Sequence, residues 1–281
     1  MQTRSIGTAT VSAIGLGGMP LSVSGRPDRD RAVATIRAAV EAGVTLIDTA
    51  DAYSLDDSDF GHNEELIAEV LRGTREEVLV STKGGHTRVP GGGWELDGRP
   101  EHLRSACEAS LRRLGVEAID LYHFHRPDPK VPTAESVGVL ADLLDAGKIR
   151  MAAVSNFDPD QIREAHEVLG GRLSAVQNQY SPVFRSSEPE LELCAELGVA
   201  FLPWSPLGGI GKAGDLGGGA EPFAAVARAH GVSPQQVALA WMLAKAPVVV
   251  PIPGSSRPES IRDSAAAAEL TLTGAELADL G

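Results

Sequence analysis

Cysteine is nearly absent from the chain, with only Cys107 and Cys194 among 281 residues. They stand far apart, in neither a CxxC pair nor a histidine-rich cluster. No metal site is therefore expected, and buried free thiols are preferred over a disulfide. Long apolar runs are missing too. No stretch approaches the roughly 18 residues of a membrane-crossing helix, and residues 1–6 lack the apolar core of a signal peptide. The resulting expectation is a cytoplasmic protein with no membrane partner. Positive charge is scarce, with 25 Lys and Arg against 38 Asp and Glu and a formal net charge of −13. Such a surface repels phosphate backbones and anionic bilayers, so nucleic acid is excluded as a partner and any anionic ligand needs a local cationic pocket. Internal repeats, linkers and signs of a second domain are also missing. Residues 1–281 are expected to form one domain, of the size a barrel of about 250 residues needs.

What the chain does have is alternation. Eight short apolar runs recur, ending near Gly17, Asp48, Lys83, His125, Asn156, Tyr180, Pro206 and Gly254, with helical patterns between them. That is the pattern of an α/β fold, a parallel (β/α)8 TIM barrel, whose chemistry gathers where the strands end. Residues 4–6 and 10–12, flanking Gly7 and Thr8, read as an N-terminal β-hairpin able to plug the far end. Helix starts are expected at Asp28, Asn63, Arg99-Pro100, Asp158-Pro159, Glu188-Pro189 and Ser233-Pro234. Thr273 and Glu276 have the spacing of a capping box. Two glycine-rich segments, 84–98 (with Trp94) and 208–219, follow strand ends and overhang the rim, as disordered connections or as lids over a ligand.

The strand-end residues suggest chemistry. Asp48, Lys83 and His125 end three successive strands, and Tyr53 follows Asp48 by five residues. A lysine at such a position can be a Schiff-base nucleophile, but an Asp48 neighbour keeps it charged, and a Schiff base needs a neutral amine. A charged Lys83 beside Tyr53 would instead favour phenolate. Bringing the phenol from its ordinary value toward neutrality takes about three pKa units, or about 4 kcal/mol. Tyr53 would then protonate a carbonyl oxygen that His125 orients. His123, two residues before His125, faces the same side one layer deeper and reads as core.

These segments resemble the signatures of the aldo-keto reductase superfamily. They are Asp48-Thr49-Ala50-Asp51-Ala52-Tyr53, Ser81-Thr82-Lys83, Asp120-Leu121-Tyr122-His123-Phe124-His125-Arg126-Pro127, Ser155-Asn156-Phe157, Gln177-Asn178-Gln179-Tyr180-Ser181, Pro203-Trp204-Ser205-Pro206-Leu207 and Ile252-Pro253-Gly254. The resemblance implies a (β/α)8 barrel that binds NADPH extended, with Asp48, Tyr53, Lys83 and His125 as the catalytic tetrad. By the same resemblance Ser155, Asn156 and Gln177 hold the nicotinamide carboxamide, and Trp204 stacks under the ring. Ser205, Leu207 and Gly209 lie by the pyrophosphate. Gly254, Ser255, Ser256 and Arg257 hold the 2′-phosphate, with Arg262 as a second candidate, and Gly17 and Gly18 admit the ribose.

Departures from the family pattern are few. Ser264 and Asp263 stand where the family often has Asn and Glu near the adenine. The acidic stretch 54–60 is longer than usual and reads either as substrate entrance or as solvated loop. The expected activity is reduction of an aldehyde or ketone by NADPH, with no metal, in a monomer or weak homo-oligomer. Met19, Phe60 and Trp94 are candidate substrate-pocket residues. Pyridoxal-like, sugar-derived and small reactive aldehydes and secondary-metabolite ketones all remain open. The alternatives from other classes are a Schiff-base aldolase using Lys83 and a non-catalytic, cofactor-binding regulatory protein.

Overall fold

The computed structural model describes residues 1–213 and 220–281. Strands β1 (Thr3–Ile6) and β2 (Ala9–Ser12) form the expected antiparallel hairpin. Gly7 turns it with φ 51°, and a Cβ there would stand 2.8 Å from Ser174 Oγ, so both handedness and space call for glycine. Ile6 and Val11 join a buried cluster with Leu46, Leu121, Ala153, Ala175, Ala200 and Val250. The hairpin thus closes the N-terminal end of the sheet with apolar side chains.

The parallel strands begin with β3 (Leu16–Gly17), β4 (Leu46–Asp48) and β5 (Leu79–Gly84). A second hairpin follows, β6 (His86–Arg88) with β7 (Trp94–Leu96). The sheet resumes with β8 (Leu121–Phe124), β9 (Ala152–Ser155), β10 (Leu173–Gln177) and β11 (Ala200–Phe201). Seven strands lie side by side in the order β3-β4-β5-β8-β9-β10-β11.

The eighth position is filled by residues 249–254, which bridge Phe201 to Val249 on one side and Gly17 to Gly254 on the other. Val250 N donates to Phe201 O (2.9 Å) and Gly17 N to Pro253 O (3.0 Å), which closes the ring. Pro251 and Pro253 lack an N–H, so this segment pairs by isolated bridges rather than as a continuous ladder. The architecture is the expected (β/α)8 barrel. The regular parts of the sixth and seventh strands end at Gln177 and Phe201, short of the expected Tyr180 and Pro206. Only the Gln179–Trp204 bridge continues their pairing.

Helices α1 (Arg29–Glu41), α2 (His62–Val70), α3 (Pro100–Leu114), α4 (Thr133–Asp145), α5 (Pro159–Val168), α6 (Glu188–Leu197), α7 (Ala220–His230), α8 (Pro234–Lys245), α9 (Pro258–Ala266) and α10 (Gly274–Leu280) complete the fold. Asp28, Asp158, Ser233 and Thr273 cap their helices as their positions imply, each accepting a backbone N–H three residues on. Two expected starts shift. Gly61, with φ 91°, is the residue before α2. Asn63 lies inside the helix and turns inward, accepting from Thr49 Oγ1 (2.5 Å) and donating to Gly18 O (2.9 Å) and Ser22 Oγ (2.7 Å). Glu188 is the first residue of α6, after Ser187. Both cysteines are free and buried, and burial pushes each thiol up to about 12. No described helix is long and apolar enough to cross a membrane.

Candidate active site

The parallel registers bring the sequence-distant polar residues to one mouth. Asp48 pairs with Ser81 across β4–β5, and Lys83 with His123 across β5–β8. His125 N donates to Gly84 O (2.9 Å), which extends that pairing one step beyond β8. The turn after β4 carries Tyr53 back over Lys83, held by Tyr53 N to Ala50 O (3.3 Å). All four are closed from solvent, at 2 % exposure for Asp48, 7 % for Tyr53, 0 % for Lys83 and 8 % for His125.

Lys83 Nζ donates to Asp48 Oδ2 (2.6 Å), Thr49 O (2.7 Å) and Tyr53 Oη (3.3 Å). Burial works against its charge, but the Asp48 carboxylate and Tyr53 outweigh that and hold the ammonium above the ordinary lysine value. Asp48 Oδ1 accepts from Ser81 Oγ (2.9 Å) and Gln177 Nε2 (2.9 Å). Ser81 Oγ also meets His123 Nε2 (2.8 Å), and His123 is a fully buried interior residue whose Nδ1 has no partner among the described residues. With its hydroxyl hydrogen given to Asp48, Ser81 accepts from His123 Nε2.

One electrostatic expectation is overturned. Lys83 was expected to make Tyr53 acidic, but the phenol lies above its ordinary value of 10.0. Burial is the larger influence. Lys83 pulls the other way, and Asp48 offsets part of that pull by neutralising the ammonium. The hydroxyl is therefore firmly protonated. His125 is pushed well below 6.5, first by burial and then by His86 and Lys83, so its imidazole is neutral. Its ring meets that of Tyr53 edge-on at 5.8 Å between centroids.

Tyr53, Asp48 and His125 open into a cavity of about 910 Å³ that runs over the C-terminal strand ends from the second hairpin to α9. Lys83 lies behind its wall. Ser155, Asn156 and Gln177 line the cavity. Ser155 Oγ donates to Gln177 O (2.7 Å), and Asn156 Nδ2 donates to His125 O (3.0 Å). Gln177 spends one amide hydrogen on Asp48, which leaves its amide oxygen and second hydrogen for a ligand.

Asn156 (φ 61°) and Ser205 (φ 50°) are the only positive-φ non-glycine residues among those described, and both line this cavity. Backbone strain is concentrated at the mouth. Trp204, Leu207 and Gly209 line it beside Ser205, and Trp204 Nε1 is buried without a partner among the described residues. Gly209 has φ 115°, a conformation that belongs to glycine.

At the far end Gly254, Ser255, Ser256 and Arg257 line the cavity at the start of α9, whose first turn no side chain caps. Arg257 is half exposed, with Glu259 at 3.7 Å. Ser264 and Asp263 also line this end, and Asp263 accepts from Ser233 Oγ and Gln236 Nε2, each at 2.7 Å.

Several expectations do not survive the geometry. Gly17 lines the cavity, whereas Gly18 does not. A Cβ on Gly18 would stand 2.6 Å from Asn63 Oδ1 and 2.9 Å from Asp48 O, so its smallness serves packing behind the wall. Arg262 donates to Glu41 of α1 (2.9 Å), outside the cavity. Phe60 points away too, lying under the Arg113 guanidinium at 5.9 Å. No residue of 54–60 lines the cavity. Asp56 and Asp59 instead tie that stretch into its own capped turn.

Met19 and Trp94 do line the cavity. Residues 84–98 are an ordered wall rather than a loose connection. Trp94 meets the His86 ring edge-on at 5.6 Å, and Arg88 lies over its indole at 4.0 Å. Of the other glycine-rich segment, residues 214–219 fall outside the described residues. Residues 209–213 line the cavity in part, and Gln235 Nε2 holds Ala213 O (2.6 Å).

Among the lining residues that the sequence reading did not single out are His86 and Arg126. The available signals were positional. Arg126 directly follows His125, and His86 lies three residues past Lys83 on the same rim. His86 is pulled down to about 4, by burial first and then by Arg126.

The Aldo/keto reductase family model matches residues 13–280. The 6-dehydroglucose reductase of Novosphingobium aromaticivorans is 37 % identical over 270 residues, covering 92 % of this chain and 86 % of that protein. A thermostable aldo-keto reductase crystallised with the inhibitor epalrestat superposes with a TM-score of 0.86 at 30 % identity, covering 100 % of this chain and 98 % of that one. An aldo/keto reductase of Klebsiella pneumoniae in complex with NADP and acetate gives a TM-score of 0.83 at 30 % identity, covering 99 % and 93 %.

Proposed function

This chain belongs to the aldo/keto reductase family, and on that premise we propose that it reduces aldehydes or ketones to alcohols with NADPH, Tyr53 donating the proton. The observation that carries the reading is the Asp48–Lys83–Tyr53 chain of contacts (2.6 and 3.3 Å), behind a cavity of about 910 Å³ lined from Tyr53 and His125 to Arg257.

The residues present fit that cofactor. Ser155, Asn156 and Gln177 offer amide and hydroxyl groups to a carboxamide. The unpartnered Trp204 indole offers a flat face at the same end. Gly209 and Ser205 present backbone N–H groups to a pyrophosphate. Ser255, Ser256, Arg257 and the uncapped start of α9 suit a 2′-phosphate. Bound there, the reduced nicotinamide supplies the hydride.

The protein's own part is the proton and the charge. Tyr53 holds its proton because burial disfavours phenolate, and it releases that proton as negative charge develops on the substrate oxygen. Lys83, fixed by Asp48 and Thr49, is the cation nearest the phenolate left behind and stabilises it most when it forms. Neutral His125 offers a ring N–H to the same oxygen without competing for the proton. Asp48 keeps Lys83 charged, which disfavours the aldolase alternative, and the complete tetrad disfavours a non-catalytic role.

The test is a panel of aldehydes and ketones assayed with NADPH and NADH in parallel. Replacing Tyr53→Phe should lower turnover by about 1,000-fold or more while NADPH binding, followed by fluorescence, persists. Substantial turnover by the Phe variant would remove Tyr53 from the proton-donor role.

A further inference from the structure

At the carbonyl-facing end of the cavity the charges do not cancel. Asp48 is spent on Lys83, at 2.6 Å. His125 and His86 are both neutral at pH 7. That leaves Arg126 as the one net charge among the described lining residues at this end, and no described carboxylate lies within ion-pair distance of it. The cation lining the opposite end, Arg257, already has Glu259 at 3.7 Å. In a chain of net charge −13 an unmatched guanidinium next in sequence to His125, lining the same cavity as Tyr53, stands out.

Position gives the arginine a purpose. A row of rings runs from Tyr53 through His125 and His86 to Trp94, at successive centroid spacings of 5.8, 4.3 and 5.6 Å. Arg126 follows His125 at the end of this strand, and burial pulls it below the ordinary arginine value. Arg126 is nonetheless exposed at the rim, and a rim cation with no counter-ion is free to take one from a ligand. A planar guanidinium matches the two oxygens of a carboxylate or phosphate.

Resting on the reductase reading above, we propose that Arg126 selects compact carbonyl substrates carrying a carboxylate or phosphate a few atoms from the reacting carbon. The carbonyl lies at Tyr53 and His125, the anion at Arg126, and the intervening carbons against the His86–Trp94 wall.

The test compares kcat/KM with NADPH for two matched pairs, butanal against 4-oxobutanoate and glyceraldehyde against glyceraldehyde 3-phosphate. The wild-type protein should prefer the anionic member by about tenfold or more, mostly through KM, since the anion is held equally before and during reaction. Arg126→Met should bring the preference close to one, and Arg126→Lys should leave an intermediate value. Raising KCl from about 20 to about 500 mM should shrink the wild-type preference, because a rim pair is screened. Preference within only one pair supports the inference and names the anion. Equal kcat/KM within both pairs, or a preference that survives Arg126→Met, overturns it and leaves the reductase reading standing. Reduction of none of the four by wild-type protein overturns the inference, and the wider panel of aldehydes and ketones then decides the reductase reading.

Discussion

Asp48 and Asp51 stand three residues apart at the end of β4, and both are closed off from solvent. Asp48 takes hydrogen bonds from Lys83, Ser81 and Gln177, which come from two other strands. Asp51 lies behind the barrel wall toward α2 and α3, and neither of its oxygens has a partner among the described residues. Burial, reinforced by the Glu64 carboxylate, pushes Asp51 well above the ordinary carboxylate range. Arg113 could have served as its counter-ion but is already committed to Glu64 at 2.6 Å. Two buried acids on one turn thus differ in what the neighbouring strands bring to them. A buried carboxylate is partnered where a neighbouring element brings a cation to it, Lys83 for Asp48 and Arg113 for Glu64, and Asp51 meets none among the described residues.

Asp48→Asn attacks this contrast most directly. It leaves the Lys83 ammonium buried opposite a neutral amide, which should cost about 3 kcal/mol of stability. It should also lower turnover by about 100-fold or more, because the cation behind Tyr53 is no longer held in place. Urea unfolding and steady-state kinetics would read the two effects. A variant with native stability and turnover would show that the pair matters to neither.

Asp51→Asn should behave in the opposite way. A carboxyl whose folded value is raised binds a proton that the unfolded chain has released, so its penalty grows as pH rises above the unfolded value near 4. Replacing it with a neutral amide of the same shape removes that penalty. Stability at pH 7 should rise by about 1 kcal/mol, and the gain should vanish near pH 4. Turnover should fall less than in Asp48→Asn. Thermal unfolding of both proteins at the two pH values decides it, and a loss of stability at pH 7 would mean that Asp51 is ionised and partnered.

The same contrast explains what could be read from the sequence. Asp48, Lys83 and His125 were legible because strand periodicity puts strand-end residues on one rim, whatever the side chains then do. Tyr53 was legible only as a short turn's length from Asp48. The eighth strand was visible as the apolar run before Gly254, although Pro251 and Pro253 reduce its pairing to bridges. Loop direction was not legible. Phe60 was expected in the pocket, but the left-handed Gly61 turns the chain into α2 and leaves the ring under Arg113. Residues 84–98 read as either a disordered connection or a lid because their order comes from Arg88 and His86 packing on Trp94 across a hairpin. His86 and Arg126 were missed because neither sits at a position that strand period or helix spacing marks. Burial, which fixes the direction of the Tyr53 shift, is a property of the assembled cavity.

That shift yields the subtlest prediction. Spacing alone suggests a phenol drawn toward neutrality by Lys83, whereas the folded site keeps it above its ordinary value. The donor must be protonated to act, so a raised value keeps the reaction at full rate until pH exceeds about 10. On the acid side, His125 is pushed well below 6.5 and stays neutral through the same range. With NADPH and a neutral aldehyde both saturating, kcat should therefore vary less than about twofold between about pH 6.5 and about pH 9.5. A fall in kcat centred near pH 7 to 8, with product release shown to be fast, would mean that Lys83 outweighs burial. Tyr53 would then be a group governed by the adjacent ammonium, rather than one like Asp51, whose charge is given up to the interior.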